Sequence, residues 1–314
     1  MIRLGAFTFA QPLIVLAPMA GVSDLPFRRL CQHFGADYTV AEMVAARTDL
    51  LATELSRRRL SFDADPRVPR VLQLLGNDPR QLADSAARLA DSVDVIDLNL
   101  GCPAKQVAKK QAGSGLLRDL KLVEKIFRAL RAAVSLPLTV KTRLGDQDKT
   151  AIHRVAQLAL DNGFSLLALH GRTRAQRFSG PVDYELMGEI ASRYPLPLLA
   201  NGDITEPEQA AALLRTYPYA GLMLGRACWG QPQLFARCQN LINGRRLPER
   251  LTAALVREHL RQLWLQEGDR GLLLARKHLH QYCRRRPDYE RLRPLINGAG
   301  DLAAQLALAG QFLD

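Results

Sequence analysis

Short apolar runs in this chain close on residues that could do chemistry, and the residue types differ from run to run. The first run ends Pro18-Met19-Ala20-Gly21, the third presents Gln73, and the fourth ends Asn99-Leu100-Gly101-Cys102-Pro103. The fifth carries Lys141 and Arg143, the sixth His170-Gly171-Arg172, the seventh Asn201-Gly202-Asp203 and the eighth Gly225-Arg226. Glycine lets a backbone come close to a ligand and point its N–H groups at anionic oxygens, and arginine adds charge. Either glycine alone suits a tight turn. Gly202, Gly225 and Arg226 together suit a phosphate.

Lys141 lies within LPLTVKTRL, where a lysine is costly to desolvate unless it meets an anion or snorkels to the rim. The N1–C2=O2 edge of a reduced flavin is such an anion. His170 could support the same electron-rich group or serve as a structural histidine, and Gln73 can both donate to and accept from a flavin edge. Cys102 follows a strand end in LNLGCPAK, close to Lys105 and to the flexible segment Gly113-Ser114-Gly115. A thiol there could deliver a proton or act as a nucleophile. No histidine lies near it in sequence to act as an activating base, which favours the acid.

These residues need elements that bring them to one place. The runs LIVLAPMA, ADYTVAEMV, RVLQLLG, VDVIDLNLG, LPLTVKTRLG, FSLLALHGRT, LPLLANGD and YAGLMLGR are continuous rather than alternating, as in parallel strands buried on both faces. Stretches of helical periodicity with acidic or proline starts separate them, such as DPRQLADSAARLADS and EPEQAAALLRTY. Eight strand-then-helix units between about Leu13 and Asn243 predict an α/β protein built as a (β/α)8 barrel, with a doubly wound open sheet as the alternative. In a barrel the C-terminal strand ends share one rim, where the residues above would gather.

Beyond Arg245 the strand pattern stops. Residues 1–244 are expected to form the barrel, and 245–314 a small all-helical domain. That tail carries ARKHLHQYCRRRPDYERLR, in which Arg284, Arg285 and Arg286 could grip a phosphate backbone and Tyr282 and Tyr289 could stack on bases; a solvated basic helix is the plainer reading. His278 and His280 stand two apart, do not share a helix face, and are not expected to bind metal.

The 314 residues carry a net charge of +12, which favours polyanions such as nucleic acid, although a solvated basic surface has the same composition. The five scattered cysteines, with no CxxC pair, argue against a disulfide framework or zinc site and for a reducing compartment. No long apolar run suggests a signal peptide or a membrane span. A cytoplasmic, monomeric protein is expected.

Taken in order, APMAGVSDLPFR, VLQLLG, DLNLGCPAKQV, KTRLG, HGRTR, ANGD and LGRA strongly resemble the bacterial tRNA-dihydrouridine synthases. GCPAKQV, AGSGLL, HGRTRAQ and ARKH are most similar to the B-type branch. The resemblance spans nearly the whole chain. It implies a tightly bound FMN reduced by NADPH, hydride transfer from flavin N5 to uracil C6, and a proton from Cys102 to C5. It implies that Pro18, Met19 and Ala20 line the flavin, and that Gln73, Lys141 and His170 contact its ring or ribityl chain. Asn201, Gly202, Asp203, Gly225 and Arg226 would hold its tail and phosphate. Asn99 and Arg143 would lie near the uracil, with tRNA as the partner and D-loop position 17 as the target. Cys228 and Trp229 in LGRACWGQPQLF depart from the small or polar residues expected there. The nearest alternative is an FMN barrel acting on a small pyrimidine, as in dihydroorotate or dihydropyrimidine dehydrogenases; a non-catalytic RNA-binding barrel is the alternative from another class.

Overall fold

In the computed structural model, which describes residues 1–313, eight parallel strands carry the predicted runs. An N-terminal antiparallel hairpin, β1 (Ile2–Leu4) and β2 (Phe7–Phe9), precedes them. The parallel strands are β3 (Leu13–Leu16), β4 (Val44–Ala45), β5 (Val71–Leu75), β6 (Val95–Leu100), β7 (Leu138–Arg143), β8 (Leu166–His170), β9 (Leu198–Asn201) and β10 (Gly221–Leu224). Each pairs with its neighbour in chain order from β4 to β10, and β10 pairs with β3. Parallel bridges Leu16–Thr39 and Val40–Val71 join β3 to β5 through the broken second strand, which curls the sheet into a barrel. The open-sheet alternative is thereby excluded.

Strand residues divide by parity between two cores. Leu13, Val15, Val71, Val95, Leu166, Ala168 and Leu199 pack inside the ring with Ile2 and Leu4 of the hairpin, so the hairpin covers the end where the strands begin. Ile14, Leu16, Leu72, Ile96, Leu138, Val140 and Leu167 face the surrounding helices. Strands buried on both faces must be apolar at every position, which is why the runs do not alternate. The helices start as their sequences predict. Asp24, Asp78, Asp119 and Asp183 each accept a backbone N–H of the first turn, and Pro26 and Pro79 stand where their missing N–H costs nothing.

After β10 the chain is helical. Leu234–Asn243 ends on Gly244 at φ +64, and four further helices follow: Ala253–Glu267, Asp269–Cys283, Tyr289–Gly298 and Leu302–Leu313. They dock on the barrel's mouth side. Gly230, at φ +88 just beyond β10, lies so close to Gln281 that a side chain there would strike the Gln281 carbonyl. No helix among the described residues is long and apolar enough to cross a membrane.

Candidate active site

Followed towards the mouth, the inward positions of each strand turn from apolar to polar. Val71 gives way to Gln73, Val95 to Asp97 and Asn99, Ala168 to His170, and Leu199 to Asn201, while β7 presents Thr139, Lys141 and Arg143. Two-residue periodicity thus places eight polar or charged side chains in the upper barrel. Six of them, all but Asp97 and Thr139, line a cleft of about 570 Å³, the size of a small-molecule or cofactor site. Its lining includes the fourteen barrel residues singled out by the resemblance: Pro18, Met19 and Ala20; Gln73, Asn99 and Cys102; Lys141, Arg143 and His170; and Asn201, Gly202, Asp203, Gly225 and Arg226. It does not include Gly21, Gly171 or Arg172 from the same strand ends.

Lys141 donates from Nζ to Asn201 Oδ1 at 3.1 Å, and Asn201 Nδ2 donates to the Met223 carbonyl at 2.6 Å. Burial, reinforced by the neighbouring Arg143, lowers the Lys141 pKa to about 8, against the pull of Asp97. Lys141 is not a snorkelling rim residue; its ammonium stays in the barrel. His170 is 6% exposed, and its Nε2 has no hydrogen-bond partner. Burial and the cations Lys141, Arg143, Arg172 and Arg226 push its pKa far below the ordinary histidine range, so it is a neutral imidazole with one ring nitrogen to offer a ligand.

Arg143 is anchored on three carbonyls. Its Nε donates to Gly101 at 2.8 Å, and its Nη1 to Thr173 at 3.1 Å and Arg177 at 2.7 Å. Its donors therefore brace the Cys102 loop and the loop after β8. Asn99 is similarly engaged: Oδ1 accepts the N–H groups of Gly101 and Cys102 at 3.0 and 2.9 Å, and Nδ2 donates to Gln73 Oε1 at 2.8 Å. Cys102 is half-buried on the cleft wall, whereas the other four cysteines are buried. Its carbonyl accepts Ser114 Oγ at 2.7 Å.

The sequence suggested a flexible Gly113-Ser114-Gly115, and the structure corrects this. All three are buried in a turn of 3-10 helix (Gly113–Arg118), and Gly113, at φ +57, lies where a Cβ would come within 3.1 Å of Cys102 Cβ. Glycine is required there for close approach, so the segment is a fixed backing for Cys102.

At the end of the cleft formed beyond β9 and β10, Gly202 has φ +132, and a Cβ on it would press on His170 and Val182 at 2.9 and 3.0 Å. A Cβ on Gly225 would meet only ordinary contacts in the protein, so the space it leaves opens towards the cleft. Arg226 donates to Asp203 Oδ1 at 3.0 Å, and Arg172 binds the other oxygen of the same carboxylate. Hydrogen bonding to Arg172 outweighs burial and holds the Asp203 pKa down. Asp203 thereby fixes the direction of two guanidinium groups at this end of the cleft.

Sequence reasoning missed Met43, Phe178 and the role of Trp229. Phe178 is 50% exposed on the loop after β8; its ring centroid lies 4.3 Å from the Arg226 guanidinium carbon and 5.4 Å from that of Arg143. An aromatic residue among the arginines of HGRTRAQRF was the available signal. Trp229 lines the cleft while Cys228 is buried behind it, so the unexpected pair splits between wall and core. Met43 gave no signal, because the broken second strand hides its phase.

The three arginines of the tail separate. Arg284 is exposed in a shallow recess with His280, Tyr289 and Arg293. Arg285 donates to Gln231 at 2.9 Å in the loop after β10, beside the cleft. Arg286 is tied to Asp288 and to the Phe312 carbonyl. Tyr282 is buried and hydrogen-bonds His259 Nδ1 at 2.8 Å, which makes it core rather than a stacking surface.

His278 and His280 do part, as their spacing requires: His280 meets Asn297 and Tyr289 outside. His278 is fully buried and joins His259 and Asp24, with donor atoms within 4.8 Å of one another, a spacing that could hold a metal ion. Its Nε2 lies 3.5 Å from Asp24 Oδ2. Burial raises the Asp24 pKa, but bonding to His278 and the histidines' field outweigh it and leave the carboxyl below its ordinary range. Asp24 caps the first barrel helix, so this pair fastens the C-terminal helices to the segment that follows Met19 and Ala20.

The dihydrouridine synthase (Dus) family profile matches residues 15–313. A tRNA-dihydrouridine synthase B of Pseudomonas syringae pv. tomato is 40% identical over 99% of this chain and 94% of its own length. That of Escherichia coli K12 is 36% identical over 97% and 96%. Among solved structures, a variant of NCR from Zymomonas mobilis superposes with a TM-score of 0.52 at 16% identity, covering 80% of this chain and 92% of its own, a likeness of fold alone. With a family profile and full-length relatives agreeing, this chain belongs to the dihydrouridine synthase family.

Proposed function

We propose that this chain reduces the C5=C6 bond of a tRNA uridine to 5,6-dihydrouridine, with FMN held at the barrel mouth and NADPH as its reductant. The observation that carries the reading is one cleft lined by Cys102, Lys141, His170, Gly202, Gly225 and Arg226, in a chain whose relatives are named for this reaction. The residues fit a flavin phosphate ester. A half-buried ammonium faces the cleft, a buried imidazole nitrogen lacks a partner, and Gly225 and Arg226 leave room for a phosphate beside Gly202. Pro18, Met19 and Ala20 would line the ring, and Gln73, Lys141, His170 and Asn201 its polar edge, with Asp203 orienting Arg226. Bound there, the flavin supplies a hydride to uracil C6.

The chain's own residues do the rest. The Cys102 thiol gives its proton to C5, and the thiolate left behind is reprotonated from solvent, so each bond reduced consumes one NADPH and one proton. Lys141 opposes negative charge at the pyrimidine edge of the flavin, and Asn99 and Arg143 border the uracil. A uracil must leave its stack to reach this depth. Residues 1–244 perform the chemistry and 245–314 hold the RNA, with Arg284 and Arg285 exposed on the helices and Arg286 tied to Asp288 and the Phe312 carbonyl.

The test is to incubate the protein with FMN, NADPH and an unmodified tRNA transcript and to map dihydrouridine by position. Product at one D-loop uridine, with position 17 expected, supports the reading. No product from an enzyme whose flavin is bound and reducible by NADPH would overturn it in favour of a small pyrimidine substrate.

A further inference from the structure

Below the cleft is a carboxylate to which the reaction assigns no role. Asp97 stands on β6 inside the barrel, 3% exposed, two residues before Asn99. It accepts Thr139 Oγ1 at 2.6 Å on one oxygen and Gln73 Nε2 at 2.7 Å on the other. Gln73 passes the direction on, its Oε1 accepting Asn99 Nδ2 at 2.8 Å. Asn99 Oδ1 then accepts the backbone N–H groups of Gly101 and Cys102. One line of hydrogen bonds therefore runs from the barrel interior to the reactive loop, through two primary amides that are each defined only by their neighbours.

We propose that Asp97 is the positioning residue for Cys102, acting through Gln73 and Asn99. A carboxylate is acceptor-only, so Gln73 must turn its NH2 down and its carbonyl up. That orientation forces Asn99 to present its NH2 to Gln73 and its carbonyl to the Cys102 loop. Without the acceptor, Gln73 can turn over, its NH2 then faces the Asn99 NH2, and Asn99 turns in response. Two donors would then confront the N–H groups of Gly101 and Cys102, and the loop would lose both bonds. Burial raises the Asp97 pKa to about 6, so at neutral pH the group is mainly ionised. A displacement of about 1 Å at a reacting group costs on the order of 100-fold in rate.

The inference rests on the proton-donor reading of Cys102, and its test has one arm that does not. Asp97→Leu removes the acceptor. Asp97→Asn keeps it, because the new amide can accept from Gln73 and donate to the Thr139 hydroxyl, which is free to rotate. In the first arm the flavin is reduced beforehand and the single-turnover rate on tRNA is measured. Among molecules with flavin bound and reduced, Asp97→Leu should lose about 100-fold and Asp97→Asn about 3-fold or less. The second arm measures alkylation of Cys102 by iodoacetamide without tRNA, the other four cysteines being buried. Alkylation should quicken several-fold in Asp97→Leu and stay at the wild-type rate in Asp97→Asn. If Asp97→Leu does not fold, the chain is cut one link later with Gln73→Met, which should show the same faster alkylation. Equal alkylation in all the folded variants overturns the inference, whatever the enzyme does to tRNA. Altered alkylation with unaltered turnover would instead overturn the role of Cys102.

Discussion

The barrel mouth and the C-terminal helices both carry many polar residues, and they use them in opposite ways. At the mouth Gln73, Asn99, Arg143, His170 and Asn201 are buried, joined for the most part in directed hydrogen bonds, and contributed by strands far apart in sequence. On the helices the conspicuous charges are exposed or satisfied by nearby partners: Arg286 with Asp288, Arg261 with Glu258, Arg293 with Glu290. What is buried there is quieter in sequence, namely His259, His278 and Tyr282. Chemistry is recognised by buried polarity that converges, and an RNA surface by charge left facing water.

Five variants sharpen that contrast. The largest effect should come from Arg226→Ala, which removes the cation proposed to meet the flavin phosphate. FMN affinity, read by fluorescence titration, should weaken by about 100-fold, the worth of a charge-assisted pair. Unchanged affinity would mean the phosphate binds elsewhere. Next is the junction between the two regions. His278→Ala leaves Asp24 buried without its partner and should cost about 3 kcal/mol of stability by denaturant titration. A cost near zero would show that the two regions dock without the pair.

Lys141→Met keeps length and loses charge. The folded-state pKa of Lys141 is depressed, to about 8 from 10.5, so the unfolded chain binds more protons between those values and wild-type stability rises with pH across that window. The flavin-free variant should be more stable than wild type at pH 7 by roughly 2 kcal/mol, with the gap closing towards pH 10.5. A gap that does not depend on pH would mean Lys141 is not a buried cation. The smallest effect belongs to the exposed surface. Arg284→Ala should weaken tRNA binding a few-fold and reduce the salt slope of log affinity by about 1. Arg286→Ala should lower stability more than it changes that slope.

The contrast also sets how much could be read from the sequence. The barrel and its rim were legible because a βα period fixes where strands end, and strand parity then decides which residues face inward. The fourteen barrel residues singled out by the resemblance line one cleft for that reason, while Gly21, Gly171 and Arg172 from the same strand ends do not. Asp97 was passed over because it lies two residues below the strand end, within a run that looked purely structural. Phe178 lies on a loop with no period to place it. His278 could be judged only against His280, its sequence neighbour, while its actual partners, Asp24 and His259, come from another region and another helix. Pairings across elements leave no local signature. The RRR run was visible but could not show that Arg286 is tied down and Arg284 is exposed.

The most direct test of the central claim compares Cys102→Ala with wild type after both are loaded with FMN and reduced by NADPH. Each is then mixed with unmodified tRNA, and flavin reoxidation and dihydrouridine are followed in the same tube. The account predicts equal flavin content, equal reduction by NADPH and equal tRNA affinity, with the oxidative step slowed by 100-fold or more in the variant. Reoxidation and product formation at the wild-type rate would contradict it and remove the proton donor from Cys102.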